Sequence, residues 1–170
     1  MHQVSQASHP NTKNLEEITV RPAQRGDVQD VLSCLTQAFA PVQWQYTREA
    51  YRDTVLDADL LRQRMQNMHV LVAVSRQGTV GTVAASLTGV EGHLRGMAVL
   101  PEWQGSGLAS KLLRSIEAWL SGHECRRITL DTTLPLTFAM KFYEKNGYRK
   151  SGRITDFFGM PLVEYEKELV

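Results

Sequence analysis

The chain has 170 residues, of which 42% are hydrophobic and 22% are charged, a composition typical of a globular domain with one hydrophobic core. Its formal net charge of +1 gives no electrostatic reason to expect a nucleic acid or an anionic membrane as a partner. Two widely spaced cysteines, no membrane-length apolar run and no signal-peptide pattern together predict a cytoplasmic protein without a disulfide or a metal site.

The N-terminal part of the chain is predicted to hold a tail, a strand and a helix. Residues 1–16 are polar and lack periodicity, which predicts a flexible tail ahead of a single domain over residues 17–170. Apolar and polar residues alternate over residues 18–23, as they do in a β-strand. Apolar residues at helical spacing then follow Asp27, which we expect to cap a helix that Pro41 ends.

The middle of the chain is predicted to contain a bent helical region and three strands. Residues 48–66 have helical periodicity, and we expect this helix to bend near Asp57. Residues 69–87 contain two apolar strands joined by a Gln-Gly pair at 77–78, which is typical of a β-hairpin. Residues 93–100 form the next predicted strand.

The C-terminal part is predicted to be a strand, a helix and two closing strands. The first strand spans residues 126–133, and the helix spans residues 136–146 and ends at Gly147. The closing strands span residues 148–154 and 161–169. Antiparallel hairpins together with one β-α-β unit predict a mixed α/β fold, in which a mostly antiparallel sheet is flanked by helices.

A glycine-rich segment separates the strand at 93–100 from the helix after it. Residues 97–113 read MAVLPEWQGSGLASKLL, with two glycines just before the apolar positions of that helix. A helix N-terminus offers unpaired N–H groups and partial positive charge to a phosphate, and glycines let the phosphate come close. The Gly-Lys-Ser/Thr ending of a P-loop is missing, and Ser110 replaces the third glycine of a dinucleotide fingerprint. The segment therefore predicts another class of phosphate-binding loop, with a plain turn as the alternative.

Two segments resemble the motifs of the GCN5-related N-acetyltransferase (GNAT) superfamily. Residues 104–109, Gln-Gly-Ser-Gly-Leu-Ala after Ala-Val-Leu-Pro, are similar to its acetyl-CoA signature. Residues 142–148, Phe-Tyr-Glu-Lys-Asn-Gly-Tyr, are similar to its second motif. The resemblance extends over residues 18–170 and includes the order of strands and helices. It implies the GNAT acyl-CoA N-acyltransferase fold, acetyl-CoA as cosubstrate, and direct attack of a primary amine on acetyl-CoA in a ternary complex.

The same resemblance implies where coenzyme A binds. The residues whose backbone N–H groups would hold its pyrophosphate are Gln104, Gly105, Ser106, Gly107, Leu108 and Ala109. The residues whose backbone would contact the pantetheine arm are Met97, Ala98 and Val99. The family also suggests a β-bulge at this strand end, which Gly96 would tolerate and which would splay the strand from the next one. Simple packing is the alternative role of Gly96.

Tyr143 is the candidate general acid, because the family has a tyrosine at this motif position that protonates the departing CoA thiolate. A phenol, with an ordinary pKa of about 10, can do so within hydrogen-bond reach. The alternative for Tyr143 is a core aromatic residue. Family members often carry Asn where this chain has Leu136, so Thr133 or Thr137 could supply a hydroxyl to the cofactor instead.

Two residues are candidates for the base that removes the proton of the attacking amine. Relatives often place Glu on the strand before the signature, and the corresponding position here is His93, whose ordinary pKa suits proton transfer. Glu91 would lie on the same face of the strand if the strand began two residues earlier. Either residue could act directly or through water, and an exposed strand-edge histidine is the alternative for His93.

The acceptor is expected to be the primary amine of a small molecule or a peptide, and the formation of a homodimer is left open. The family builds the acceptor pocket from positions that in this chain are Phe39, Trp44, Tyr46, Asp156, Phe157 and Phe158. Aromatic and acidic side chains could hold a cationic amine, although the fold itself does not fix the substrate. The second functional hypothesis is a non-catalytic acyl-CoA-binding sensor or interaction module, because the Asn is missing and no Glu base is evident.

Overall fold

Seven strands form one sheet in the computed structural model, which describes residues 13–170. The strands are β1 (Thr19–Pro22), β2 (His69–Ser75), β3 (Gly78–Thr88), β4 (Glu91–Val99), β5 (Arg127–Thr133), β6 (Arg149–Phe157) and β7 (Met160–Glu168). The helices are α1 (Val28–Phe39), α2 (Arg48–Val55), α3 (Ala58–Asn67), α4 (Leu108–Gly122) and α5 (Thr137–Lys145). The strand order is β1-β2-β3-β4-β5-β7-β6, and all neighbours are antiparallel except β4 and β5. The predicted mixed, mostly antiparallel sheet is confirmed.

Helices cover both faces of the sheet near β3. Residues 79–85 of β3 are all buried, although their side chains alternate between the two faces. A Cβ atom at Gly81 would lie 2.8 Å from Leu112 of α4, so α4 covers that face. Helix α1 packs on β3 and β4 and covers the opposite face. Within residues 13–170, no helix is both long and apolar enough to cross a membrane.

The sequence predicts two helix boundaries, the bend between α2 and α3 and the N-terminus of α1. The second helical region is bent as predicted, because Leu56 has a φ angle of +66° between α2 and α3, and the Asp57 side chain caps α3. Asp27 is the N-cap residue of α1 as predicted, but its side chain makes no capping hydrogen bond to this helix. Its carboxylate instead accepts hydrogen bonds from the Arg21 guanidinium at 2.7 Å and from the Gln24 N–H at 2.6 Å. The charged partner outweighs the ordinary cap.

Strands β4 and β5 diverge after a short contact. Only residues 91–94 of β4 pair with residues 127–130 of β5. Further along β4, a β-bulge places Gly96 and Met97 opposite Val83 of β3, and the φ angle of +61° at Gly96 favours glycine there. The predicted bulge is therefore present, and it lies where the two strands separate. We call the gap between β4 and β5 the wedge.

The first described residues pack beside α4. Residues Leu15–Glu17 form a 3-10 turn, and the Lys111 ammonium of α4 donates to the carbonyls of Leu15 at 3.0 Å and Ile18 at 2.8 Å. The last residues of the predicted tail are thus anchored to the domain. Residues 1–12 lie outside the described part of the chain, so the tail and its boundary stay a prediction.

Candidate active site

The wedge opens into a cavity of about 310 Å³, which we call the wedge cavity. Its lining comes from the first three helices, from β4, β5 and α5, and from the β6–β7 hairpin. The polar or sulfur-containing residues of this lining that bear on chemistry include Arg64, His93, Met97, Asp131, Thr132 and Tyr143. Three predicted site residues, from two distant motifs, thus come together in one cavity.

Helix α5 brings Tyr143 to the wedge cavity. Its hydroxyl donates to the Sδ atom of Met97 on the β4 bulge, at 3.4 Å. The residue is only 8% exposed, and burial raises the pKa of the phenol well above its ordinary value of 10. The ring packs edge-on against Tyr148, with 5.7 Å between ring centroids. The ring therefore belongs to the core, whereas the hydroxyl is a protonated donor at the wedge.

His93 on β4 and Asp131 on β5 form a second polar group in the wedge cavity. His93 Nδ1 lies 2.8 Å from Thr129 Oγ1, and His93 Nε2 lies 3.5 Å from Asp131 Oδ2. Burial lowers the pKa of His93, and Asp131 opposes this effect, whereas Arg95 adds to it. Burial raises the pKa of Asp131, and His93 opposes that effect. The two pKa values are therefore displaced towards each other.

Sequence reasoning misses Asp131, although β5 carries a signal for it. The strand reads RITLDTT, in which Arg127, Thr129 and Asp131 form one polar face. Because His93 pairs with Thr129 across the two strands, that face is the face on which His93 lies. A carboxylate at this position therefore lies close to the imidazole.

Glu91 lies at the first residue of β4 and does not line the wedge cavity. Its side chain is 59% exposed, and its carboxylate accepts a hydrogen bond from Arg127 Nη1 at 2.9 Å. It lines an outer, polar cavity of about 440 Å³ that His93 and Asp131 also border. The structure thus places Glu91 on the same strand face as His93, but in an ion pair and away from the wedge.

The segment between β4 and α4 turns sharply before the helix begins. A 3-10 turn, Pro101–Trp103, is followed by Gly105 and Gly107, whose φ angles of +76° and +89° favour glycine. The side chain of Gln104 donates to the Val99 carbonyl at 3.2 Å and so ties the loop to the end of β4. This loop presents the N-terminus of α4 beside the end of the strand.

Three of the six backbone amides predicted at the pyrophosphate are used within the loop itself. They belong to Gln104, Ser106 and Leu108. The amides in this segment that have no partner among residues 13–170 are those of Gly105, Gly107, Ala109 and Ser110. Four free N–H groups at the positive end of a helix can bind an anion.

Residues 97–99 of β4 present a free edge to the wedge. They pair with β3 on one side, and no strand within residues 13–170 pairs with their other side. Unpaired backbone N–H and C=O groups at such an edge can bond an extended amide chain as a further strand would. Met97 lines the wedge cavity, whereas Ala98 and Val99 are buried and the Val99 carbonyl already accepts from Gln104, so the backbone site at these three residues stays a prediction.

Thr132 has a hydroxyl without a partner beside the position where the Asn is missing. Thr133 Oγ1 lies 2.6 Å from the Tyr46 hydroxyl, so the hydroxyl expected to serve at position 133 already has a partner. Thr132 is one of the residues that line the wedge cavity, and its Oγ1 is the one buried side-chain N or O atom in residues 13–170 that has no hydrogen-bond partner. A buried hydroxyl without a partner is costly, which points to a partner on a ligand.

Half of the residues expected to form the acceptor pocket line the wedge cavity. They are Phe39, Tyr46 and Phe157. Trp44 and Phe158 are instead 82% and 53% exposed, and Asp156 accepts the Gly159 N–H in the turn between β6 and β7. The acidic residues that line the cavity are thus Asp53 and Asp131, and Asp156 does not line it.

The family of the chain follows from comparisons with known proteins. The family model for the acetyltransferase (GNAT) family matches residues 34–148, and the chain therefore belongs to this family. PaiA N-acetyltransferase from Thermoplasma acidophilum, solved with coenzyme A, has a TM-score of 0.73 and 16% identity over 89% of this chain and 99% of its own. A GCN5-related N-acetyltransferase from Rhodopseudomonas palustris has a TM-score of 0.75 and 18% identity, and the match covers 95% of this chain and 100% of that protein's chain. The resemblance inferred from the two motifs is confirmed.

Two curated relatives are aminoglycoside N(6')-acetyltransferases type 1. The one from Stenotrophomonas maltophilia is 34% identical over 71 residues, which cover 42% of this chain and 46% of the relative. The one from Acinetobacter genomosp. 13 is 24% identical over 106 residues, which cover 57% of this chain and 73% of the relative. The chain thus matches less than half of the first relative's length.

Proposed function

We propose that this chain is an N-acetyltransferase that transfers the acetyl group of acetyl-CoA to a primary amine of a small molecule or a peptide, by direct attack in a ternary complex. One observation carries the proposal. The wedge cavity holds a protonated phenol, Tyr143, and a proton-accepting pair, His93 and Asp131, where the sheet is open. Acyl transfer from a thioester to an amine needs both groups, because the amine loses a proton and the sulfur gains one.

Three features of the chain fit coenzyme A. The four free amides at residues 105–110 lie at the positive end of α4 and suit a pyrophosphate. The free edge of β4 suits the amides of a pantetheine arm. The Thr132 hydroxyl is available to one of those amides. The cosubstrate supplies the activated acyl group, and the chain supplies its position and the proton transfers.

In the proposed reaction, one side of the wedge cavity accepts a proton from the amine and the other side donates a proton to the sulfur. His93 Nε2 accepts the proton that the amine loses, and Asp131 stabilises the imidazolium that results. The neutral amine forms the C–N bond as this proton leaves, the C–S bond breaks, and the Tyr143 hydroxyl delivers a proton to the leaving sulfur. Return of the imidazolium proton to the Tyr143 phenolate restores both side chains, so the net change is one proton moved from nitrogen to sulfur.

The relatives and the cysteines support two coarser parts of the proposal. The aminoglycoside N-acetyltransferases support an amine acceptor, and we propose no closer identity for it on their account. Both Cys34 and Cys125 are free thiols in buried positions, which supports the cytoplasmic location.

The test is to measure cosubstrate binding first and then transfer. Acetyl-CoA should raise the melting temperature, because a ligand of the folded state stabilises it, and NAD and ATP should not match that effect. Release of free thiol is then measured with a panel of primary amines. Release with one or more amines supports the proposal. Binding of acetyl-CoA without release on any amine would favour a non-catalytic sensor, and absence of binding would contradict both functions.

A further inference from the structure

Arg64 of α3 reaches the wedge cavity at the β4 bulge. It lines the same cavity as Tyr143 and His93. A Cβ atom at Gly96 would lie 2.5 Å from Arg64 Nη1, so the guanidinium packs directly over the glycine backbone. A larger residue at position 96 would therefore move the Arg64 guanidinium from this position.

The Arg64 side chain has neither a hydrogen bond nor an ion pair within residues 13–170. The nearest opposite charge, Asp53, is bonded to Arg95 at 2.7 Å. Burial and the neighbouring Arg95 lower the pKa of Arg64 to about 10, while Asp53 opposes them. The guanidinium therefore remains charged at neutral pH, in a half-buried position where the neighbouring carboxylate, Asp53, is already paired with Arg95. Such a charge is costly unless an anion accompanies it.

The missing anion is best assigned to the acceptor. The amides suited to the coenzyme A pyrophosphate lie at residues 105–110, beyond the end of β4, and these residues do not line the wedge cavity. A pantetheine arm and an acetyl group carry no charge. The remaining molecule that shares the cavity with Arg64 is the amine substrate.

We propose that Arg64 binds a carboxylate of the acceptor, so that the substrate is a zwitterion with an amine and a carboxylate, such as an amino acid. This inference rests on the proposed function and names its substrate class. A planar guanidinium matches a carboxylate with two parallel hydrogen bonds. The ammonium group of such a substrate would be attracted by Asp131, which lies beside His93 and lines the same cavity. The cavity is thus cationic at the bulge and acidic at β5.

The test compares amino acids with their amides, with kcat/KM expressed per neutral amine because the amide group also lowers the amine pKa. L-Phenylalanine, β-alanine and 4-aminobutyrate span three separations of amine and carboxylate, and the amide of each removes the negative charge. Wild-type protein should acetylate at least one acid with a higher kcat/KM than its amide. Arg64→Gln should lower kcat/KM for that acid about 10- to 100-fold, mainly by raising KM. The kcat/KM for the amide should stay the same. Arg64→Lys should retain part of the preference because it keeps the charge.

A matched control lies two residues away on the same helix. Arg62 forms an exposed ion pair with Asp59 at 3.0 Å and does not line the wedge cavity. Arg62→Gln should therefore leave kcat/KM unchanged for both the acid and its amide. An equal loss for acid and amide in Arg64→Gln would overturn the inference, because it would mean that Arg64 acts on the reacting atoms or on folding. A wild-type preference for every amide over its acid would overturn it too.

A binding measurement separates failure of this inference from failure of the proposed function. If no amine is acetylated, the proposed function fails, and calorimetry with coenzyme A present still tests Arg64. N-acetyl-L-phenylalanine, N-acetyl-β-alanine and 4-acetamidobutyrate are then compared with their amides. At least one acid should bind more tightly than its amide in the wild type and lose about tenfold or more in Arg64→Gln. Equal binding of acid and amide throughout contradicts the assignment.

Discussion

At the scale of single residues, burial acts in opposite directions on the proposed acid and base. It raises the pKa of the Tyr143 phenol, and it lowers the pKa of the His93 imidazole. In both cases the apolar surroundings favour the neutral form of the side chain. A neutral phenol holds a proton to donate, and a neutral imidazole has a lone pair to accept one. The same environment therefore prepares both groups for the proposed reaction.

Replacing Tyr143 by Phe should lower kcat while leaving the KM for acetyl-CoA nearly unchanged. The substitution removes the proton donor and keeps the ring that packs in the core. General acid catalysis typically contributes about 10²–10⁴-fold, and steady-state thiol release measures the loss. Tyr148→Phe is the matched control, because its hydroxyl bonds Glu117 at 2.7 Å instead of facing the wedge. Equal kcat in wild type and Tyr143→Phe would leave Tyr143 with its core role alone.

The rate at saturating substrates should rise with pH through the ionisation of His93. Only the neutral imidazole accepts the amine proton, so activity is lost as pH falls below the His93 pKa. Burial lowers that pKa, which places the inflection below the ordinary value of 6.5. His93→Ala should remove the inflection from a pH profile measured with an amine that ionises well above this range.

Two neighbouring carboxylates provide the controls for that profile. Asp131 raises the pKa of His93, so Asp131→Asn should move the inflection to lower pH. Glu91→Gln should leave the inflection in place, because Glu91 is paired with Arg127 outside the wedge cavity. Loss of the inflection in Glu91→Gln, with the inflection retained in His93→Ala, would identify Glu91 as the base instead.

Asp131, Thr132 and Arg64 show where sequence reasoning stops for the candidate site. The two motifs indicate Tyr143 and the loop amides because their spacing is local. Asp131 and Thr132 matter because β5 diverges from β4 after four residue pairs, and no local pattern reports that divergence. Arg64 belongs to a helix distant in sequence, and its position depends on how α3 packs near the bulge. These residues are defined by contacts between elements.

At the scale of elements, the loop before α4 can be tested with a pair of isosteric substitutions. Gly107 has a φ angle of +89°, and an added Cβ would lie 3.2 Å from Leu15, so any side chain there introduces strain. Asn and Asp strain the loop alike but differ in charge. Gly107→Asp should abolish the rise in melting temperature that acetyl-CoA produces, whereas Gly107→Asn should retain part of it. Equal shifts in the two variants would contradict the assignment of a phosphate to this loop.

Most elements are predictable from the sequence because their periodicity reflects burial. Residues 69–87 contain two continuous apolar runs on either side of a Gln-Gly turn, as buried hairpin strands do, and the apolar positions of α4 lie on one buried stripe. Asp27 is the instructive exception, because its spacing suits a cap while an arginine brought near by β1 binds its carboxylate instead. Local preference predicts the helix or strand, and contacts from elsewhere in the fold determine which partner a side chain binds.

At the scale of the whole molecule, acetyl-CoA should protect the open edge of β4 from hydrogen exchange. Residues 95–99 have no strand partner on the wedge side among the described residues, so their amides there should exchange readily in the free protein. Hydrogen exchange in peptides covering residues 95–110 should become slower when acetyl-CoA is added. Exchange in peptides covering β1 should stay the same. NAD offers a pyrophosphate without a pantetheine arm, so it should leave residues 95–99 unprotected. Unchanged exchange at residues 95–99 with saturating acetyl-CoA would contradict the edge assignment.

The wedge divides the sheet into two antiparallel parts, β1–β4 and β5–β7, which four residue pairs join. Partial opening between the two parts should therefore require less free energy than unfolding of either one. A ligand that contacts both sides of the wedge would make this opening rarer in proportion to its concentration. Proteases act on opened chains, so the lifetime of the protein in a cell would lengthen as acyl-CoA becomes plentiful. The proposed cosubstrate site would thereby couple the abundance of the protein to the supply of acyl-CoA.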